Sequence, residues 1–391
     1  MNKSRDYDIV LFGATGFTGR LTAEYLAGHG GERLRWALAG RNSEKLEQLR
    51  QDLTSVAGAN PPAVLHADVD DEASIRALAG STRVVISTVG PYIEYGEPLV
   101  HACADLGTDY VDLTGEPEFV DRMWLRYHDS ARASGARIVH CCGFDSIPHD
   151  LGCWFTVQQL PQDVPLKVQG FVRAGGAISG GTLHSAVTAF SRLPKYISVQ
   201  RQRRAEEGWP VDRRIGSVRH GLRFIDALGT WALPMPTIDP QIVRRSAAAI
   251  DRYGPDFRYG HFLQIKRIGT VAGLVAATGA VVAGSQLEMT RKRLLALRAS
   301  GDGPSEAQRA KGWFKITFLG EGGGHHVRCE VSGGDPGYGE TSKMLSESAL
   351  CLAFDRLPRS AGVITPVQAM GNNLIERLRH RGIGFRVVDA T

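Results

Sequence analysis

The sequence predicts an α/β fold, a doubly wound parallel sheet joined to a second, α+β region, and three observations carry that expectation. A strand-like run at 7–12 leads into Gly13-Ala14-Thr15-Gly16-Phe17-Thr18-Gly19 and then into an amphipathic segment. Short β-rich runs alternate with helical patterns as far as about residue 142, the rhythm of strand–helix–strand units. Beyond residue 151 the rhythm gives way to Gly- and Arg-rich loops and a Pro-rich stretch at 231–240.

The glycine turn comes first in the chain and in the argument. Glycines permit a sharp strand-to-helix turn, bring bare amides to a phosphate, and leave the helix N-terminus facing negative charge. Gly13, Thr15, Gly16, Phe17, Thr18 and Gly19 are therefore the expected contacts of a dinucleotide pyrophosphate. A glycine triplet alone is weak evidence in a chain with 46 glycines, and the strand before it and the helix after it give it weight. Further strands are expected at 34–39, 63–67, 83–88, 110–113 and 137–141. Between them Leu46, Leu49, Leu53 and Val56, then Leu99, Val100, Cys103 and Leu106, recur at helical spacing.

The loops after these strands carry the chemistry, because ligands of such sheets bind beyond the carboxyl ends of the strands. The second strand ends in Gly40-Arg41-Asn42-Ser43, where an NAD-selective domain usually places an acid. Arg41, helped by Ser43 and Lys45, suits a 2′-phosphate instead, so NADPH is the expected cofactor. The plain alternative is that Arg41 caps a surface loop. Asp68 follows the third strand, placed to accept from an adenine amino group or to cap the next helix. Strand four ends in Thr88-Val89-Gly90-Pro91-Tyr92, so Thr88, Gly90 and Pro91 are expected beside the cofactor and Tyr92 presents a hydroxyl. Strand five ends in Asp112-Leu113-Thr114-Gly115-Glu116, and Glu116 can fix an amide or close a turn. Strand six ends in the polar run Cys142-Gly143-Phe144-Asp145-Ser146-Ile147-Pro148-His149-Asp150.

In the second region the runs 313–319 and 327–331 pair as a hairpin, 341–357 carries Leu345, Ala349, Leu350 and Ala353 on one helical side, and a helix near 367–379 precedes a strand at 385–388. Domain boundaries are expected at 1–150, 151–335 and 336–391.

Composition bounds the rest. With 391 residues, 43% hydrophobic and 22% charged, the chain has the make-up of a globular enzyme of two or three domains. The net charge of +5 includes basic runs at 201–204 and 291–293, read as solvated helix faces, and no nucleic acid is expected. Six cysteines without CxxC spacing and a polar start at 1–8 fit a reduced, cytoplasmic setting. His325 and His326 are adjacent in a strand and face opposite sides, with no acidic or cysteine partner at ligand spacing, so no metal site is expected there or elsewhere in the chain. No GxSxG or GxxxxGK[ST] pattern occurs, which sets aside hydrolase and kinase readings. The uncharged stretch 268–285 has three readings: a buried helix, a peripheral membrane or lipid contact, or a membrane span.

The motifs Gly-Ala-Thr-Gly-Phe-Thr-Gly, Ala-Gly-Arg at 39–41, Thr-Val-Gly-Pro-Tyr at 88–92, Cys-Gly-Phe-Asp-Ser-Ile-Pro at 142–148 and Gly-Asp-Pro-Gly-Tyr-Gly at 334–339, followed by Thr341-Ser342-Lys343, occur in this order. Together they resemble the saccharopine dehydrogenase-like oxidoreductases, and most nearly the trans-acting enoyl reductase branch. The resemblance implies a Rossmann domain, an inserted α+β domain, and a C-terminal return to the first. It also implies NADPH-dependent reduction of a carbon-carbon double bond in a lipid or polyketide intermediate, with a carrier-bound acyl substrate and a partner synthase. Hydride addition to an unsaturated thioester leaves charge on the carbonyl oxygen and calls for a proton at the α-carbon. Tyr92, Ser146, His149 and Tyr338 are the candidate donors, with Tyr92 the first choice. Asp145 and Asp150 can orient neighbours, cap the following helix or act directly in catalysis. Two other readings stand beside this one: an imine or amino-acid oxidoreductase with a clamp of Arg173, Arg244 and Arg245, and an NADPH-binding sensor or scaffold. A homodimer is also compatible with the sequence.

Overall fold

The computed structural model describes residues 5–57, 60–175, 187, 191–219, 221–286, 288–290 and 303–391, so the basic run at 291–293 lies outside the described residues. The chain divides into two compact units. One comprises Met1–Phe144, Gly301–Gly303 and Tyr338–Arg377, and the other Asp145–Ser300, Pro304–Gly337 and Leu378–Thr391.

The first unit is built on seven strands: β1 (Tyr7–Phe12), β2 (Trp36–Gly40), β3 (Ala63–His66), β4 (Thr82–Ser87), β5 (Asp109–Asp112), β6 (Arg137–Val139) and β14 (Gly362–Ile364). They lie in the order β14-β6-β5-β4-β1-β2-β3, and every pairing is parallel. Because β1 lies between β2 and β4, the order reverses there, and the carboxyl ends of β1 and β4 flank the switch point where such sheets bind ligands. Register brings Phe12 opposite Ser87. Val10, Val85, Tyr110 and Ile138 are fully buried, as strands covered on both faces require.

Local rules place the helices: α1 (Phe17–His29), α2 (Ser43–Ala57), α3 (Glu72–Ser81), the short α4 (Tyr92–Tyr95), α5 (Glu97–Leu106) and α6 (Pro117–Ser134). The Asp71 carboxylate accepts the Ala73 amide and starts α3. In α6 proline opens the first turn, and Gly135, at φ 85°, closes the last. The return segment brings the helix Gly339–Phe354 back to the first unit. There the buried Glu347 accepts from the Tyr25 hydroxyl at 2.8 Å and pairs with Arg377 at 3.1 Å.

One carboxylate ties the middle of this sheet together. Oδ1 of the fully buried Asp112 accepts the amides of Thr114 at 3.1 Å and Cys141 at 3.0 Å. Its Oδ2 accepts from Tyr110 Oη at 3.1 Å and lies 2.7 Å from His140 Nδ1. The loops that leave β5 and β6 are thereby held to one residue.

The second unit contains an eight-stranded mixed sheet of β7 (Leu166–Gly175), β8 (Arg214–Ser217), β9 (Arg223–Ile225), β10 (Thr230–Pro234), β11 (Asp256–Ile265), β12 (Trp313–Gly322), β13 (His325–Gly333) and β15 (Gly384–Ala390). The order is β15-β13-β12-β7-β11-β10-β9, with β8 paired to β11. The expected hairpin is β12–β13, joined through Gly323 and Gly324 at φ 57° and 82°, the left-handed pair that a two-residue turn requires. Helix α7 (Ile147–Val157) packs close to this sheet, since a Cβ on Gly152 would lie 2.4 Å from the Phe318 ring.

The structure differs from the sequence expectation at three places. The return to the first unit covers Tyr338–Arg377, not all of 336–391, because β15 pairs along β13 and carries Leu378–Thr391 into the second unit. The helix expected near 367–379 is two, Pro366–Ala369 and Gly371–His380, broken where Gly371 takes φ 47°. The stretch 268–285 forms the helix Ile268–Gln286, but its most apolar window is only 12% buried, so it is not a core helix.

Asp112→Ala removes all four hydrogen bonds and strands two buried backbone amides. It should destabilise the protein by about 3 kcal/mol or more in urea unfolding, whereas Asp112→Asn, which keeps a carbonyl for the amides, should cost clearly less.

Candidate active site

The turn after β1 is closely fitted. Gly13 has φ 87°, and a Cβ there would meet Val89 Cγ2 at 2.7 Å and Thr88 Oγ1 at 2.8 Å. A Cβ on Gly19 would lie 2.2 Å from the Gly13 carbonyl oxygen, so α1 reaches its position only with glycine in its first turn. The Thr88 hydroxyl donates to the Gly13 carbonyl at 3.0 Å, and the Gly13 amide to Ala39 at 2.9 Å, which secures the turn to β4 and β2. Gly16 starts α1 without a side-chain cap, and the first-turn amides of a helix have no partner within it. Thr15 and Gly16 are exposed. A bare backbone, an uncapped helix start and an open face at the switch point fit a dinucleotide pyrophosphate.

Other predicted cofactor residues open α1 or follow β2, β3 and β4. Phe17 and Thr18 open α1. Arg41 and Ser43 are exposed beyond β2, and no carboxylate pairs with Arg41 among the described residues. Asn42 takes the capping role at α2, accepting the Lys45 amide at 2.8 Å, which leaves Arg41 outside the cap. Asp68 closes the turn after β3, where Oδ1 accepts the Asp70 amide at 3.2 Å. Gly90 is exposed and Pro91 half-buried. A Cβ on Gly90 would come no closer than 3.6 Å, to the Tyr92 ring, which is ordinary contact, so the described protein leaves room there.

The loop bearing Gly90 and Pro91 is held by Glu116. Its two carboxylate oxygens accept the amides of Tyr92 at 3.0 Å and Ile93 at 2.8 Å, the opening amides of α4. Burial raises the Glu116 pKa above the usual carboxylate range, and these two amides act against that rise. Of its two expected roles, Glu116 takes the structural one. Tyr92 is 5% exposed, stands beside Phe119, and its hydroxyl donates to the Ser87 carbonyl at 3.0 Å. Burial, then the charge of Asp112, push its pKa well up. The first-choice donor thus has its hydroxyl committed to the sheet.

Tyr338 stands elsewhere in the same unit. Its ring meets Phe17 edge-on at 4.8 Å, beside the start of α1. Thr341 Oγ1 accepts the Phe144 amide at 3.2 Å, and a Cβ on Gly143 would press on Thr341 at 3.1 Å. Sequence reasoning assigned Thr341 no role at the loop after β6, since 197 residues separate it from Phe144.

Ser146 and His149 belong to the second unit, at the start of α7. The Ser146 hydroxyl is buried without a hydrogen-bond partner among the described residues. His149 is 2% exposed, and burial lowers its pKa to about 3, so its imidazole is neutral. Around it lie residues that the sequence did not single out: Asp239 at the start of the helix Asp239–Ala249, and Tyr259 and His261 on β11. His261 is held near pKa 3, first by burial and then by His149, with Asp239 opposing. The half-buried Asp145 is raised to about 7 by desolvation and by the charge of Asp239. The arginines proposed to clamp a carboxylate substrate are engaged otherwise. Arg245 Nε donates to Glu207 at 3.1 Å, Arg244 Nε to the Pro240 carbonyl at 2.9 Å, and Arg173 stacks on Trp313.

Residues 9–139 match the saccharopine dehydrogenase NADP binding domain family. Over 413 residues the chain is 38% identical to a Mycobacterium tuberculosis protein provisionally named a trans-acting enoyl reductase, covering 98% of this chain and 97% of that one. It is 35% identical to the trans-acting enoyl reductase of Mycobacterium bovis, over 97% of each chain. The apo saccharopine dehydrogenase (L-Glu forming) of Saccharomyces cerevisiae has a similar fold, with a TM-score of 0.59, 11% identity, and coverage of 98% of this chain and 100% of that one. The chain belongs to the trans-acting enoyl reductase family and carries an NADP-binding domain in its first unit.

Gly19→Ala should destabilise the protein by about 1–3 kcal/mol, the cost of overpacking, and weaken NADPH binding at least about tenfold, since the turn must move. Gly90→Ala meets no protein atom closely, so its melting temperature should stay at the parent value while NADPH binding weakens. Unchanged binding in Gly90→Ala would remove Gly90 from the cofactor face.

Proposed function

We propose that this member of the trans-acting enoyl reductase family is an NADPH-dependent reductase of a carbon-carbon double bond in a hydrophobic enoyl chain carried by a partner synthase. The observation that carries the reading is full-length identity of 35–38% to proteins of that name. The cofactor turn at the switch point supports it from the structure. Among the described residues the arginines named for a carboxylate clamp have other partners, so the amino-acid reading gains no support.

In this reading the backbone of 13–19 holds the pyrophosphate, Arg41 and Ser43 take the 2′-phosphate, Asp68 faces the adenine, and Thr88, Gly90 and Pro91 line the cofactor path. NADPH supplies the hydride when bound. Its addition to the β-carbon moves negative charge onto the thioester oxygen, which needs a positioned donor, and the α-carbon then takes a proton. We assign the donor to Tyr338, a phenol beside Phe17 at the cofactor turn. Tyr92 is reassigned to shaping the loop, because its hydroxyl serves the Ser87 carbonyl. His149 is neutral and deeply buried, which removes it as a ready source of a proton, and Ser146 stands second to Tyr338.

The test follows NADPH oxidation in single turnovers with an enoyl thioester on a carrier protein. Tyr338→Phe should slow hydride transfer by about 10²-fold or more with NADPH affinity kept, and Tyr92→Phe should leave the rate near the parent value. The reverse pattern would return the role to Tyr92. Arg41→Asp should weaken NADPH binding by about ten- to hundredfold, the worth of a charged hydrogen bond, and NADH binding far less. Equal losses would remove the phosphate contact.

A further inference from the structure

The second unit holds a buried group of polar side chains that the reductase reading does not use. His149 from α7, Asp239 from the start of its helix and His261 from β11 converge, with one ligand atom from each lying within 4.8 Å of the others. All three are at most 2% exposed. His149 Nε2 is 3.8 Å from Asp239 Oδ1, and His261 Nε2 is 3.5 Å from Asp239 Oδ2. The two imidazole rings stand 4.8 Å apart at 87°.

These separations are informative because they are too long for hydrogen bonds, which close at about 2.7–3.2 Å. Among the described residues Asp239 Oδ1 and His261 Nε2 are buried with no hydrogen-bond partner, an unfavourable state for a buried polar atom. The far sides of both groups are satisfied. Asp239 Oδ2 accepts from Thr237 Oγ1 at 2.5 Å, and His261 Nδ1 lies 3.3 Å from the Tyr259 hydroxyl. Gly170 leaves space for that hydroxyl, since a Cβ there would lie 2.9 Å from it. Asp239 and His261 are therefore each oriented by an outer partner, as metal-binding carboxylates and imidazoles are.

We propose that His149, Asp239 and His261 form a site for one divalent transition-metal ion, with zinc as the ion it fits best. Two imidazole nitrogens and a carboxylate oxygen are a common zinc donor set, with bonds of about 2.0–2.2 Å. A tetrahedron with such bonds has ligand–ligand edges of about 3.4 Å, against about 3.0 Å for one face of an octahedron. The 3.8 Å between His149 Nε2 and Asp239 Oδ1 lies on the tetrahedral side. Three protein ligands leave a fourth position for water or another donor. Bound there, the ion joins α7, the helix Asp239–Ala249 and β11, three elements of one unit. The inference is independent of the enoyl substrate.

The experiment is a titration of the full-length, chelator-treated protein with Co²⁺ alone, followed by Zn²⁺. One equivalent of Co²⁺ should develop the intense visible absorption of a tetrahedral site, Zn²⁺ should bleach it, and Zn²⁺ should raise the melting temperature. His261→Gln and His149→Gln should each lose at least about 100-fold in affinity, and Tyr259→Phe, an outer partner, about 10–100-fold. His325→Ala with His326→Ala should change nothing. NADPH binding, which belongs to the first unit, checks that each variant is folded. No stoichiometric tetrahedral signal in the parent protein overturns the proposal, whatever the variants do. So does a signal that survives His261→Gln or disappears with the His325 and His326 substitutions.

Discussion

The approach of Gly19 to the carbonyl oxygen of Gly13 is the constraint on which the cofactor side depends. A side chain at Gly19 would begin 2.2 Å from that oxygen, so α1 can start directly over the end of β1 only as glycine. From this one contact follow the direction of the first-turn amides, the exposure of Thr15 and Gly16, and the place of Phe17. Phe17 in turn receives Tyr338, which the chain brings back after leaving the unit for more than a hundred and fifty residues. Thr88 completes the arrangement by bonding the Gly13 carbonyl from the neighbouring strand.

Buried carboxylates do different work in the two units. In the first, Asp112 and Glu116 use both oxygens, binding amides and hydroxyls of the loops after β4, β5 and β6. They act as fixed struts under a face that must keep its shape for a ligand. In the second, Asp239 and His261 each keep one buried atom without a partner among the described residues, while an outer neighbour orients them. A satisfied network needs nothing more, whereas a half-satisfied one is stable only with something added or at a cost.

Legibility followed the length and locality of each signal. The glycine turn and the first six strands could be read because hydrophobic runs, turn residues and helical stripes are local patterns. Strand β14 has only Gly362–Ile364, too few residues for periodicity, and becomes a strand by pairing with β6. The long strands β7 and β11 carried no turn signal of hairpin type, since their mutual pairing is parallel and distant in sequence. The same limit governs side chains. Tyr92 was recognised as a residue of the cofactor loop, but the direction of its hydroxyl depends on the Ser87 carbonyl and on Glu116 holding α4.

The amino-acid sequence alone determined the NADP-binding character of the first unit and the family. Those properties reside in backbone requirements and contiguous motifs, which neighbouring residues specify. Only the tertiary structure decided that Tyr92 serves the sheet, that Tyr338 stands at the cofactor turn, and that His149, Asp239 and His261 meet. The reason is physical: these facts depend on long-range pairing and burial, which give no periodic trace along the chain and take effect only when distant segments close on one another.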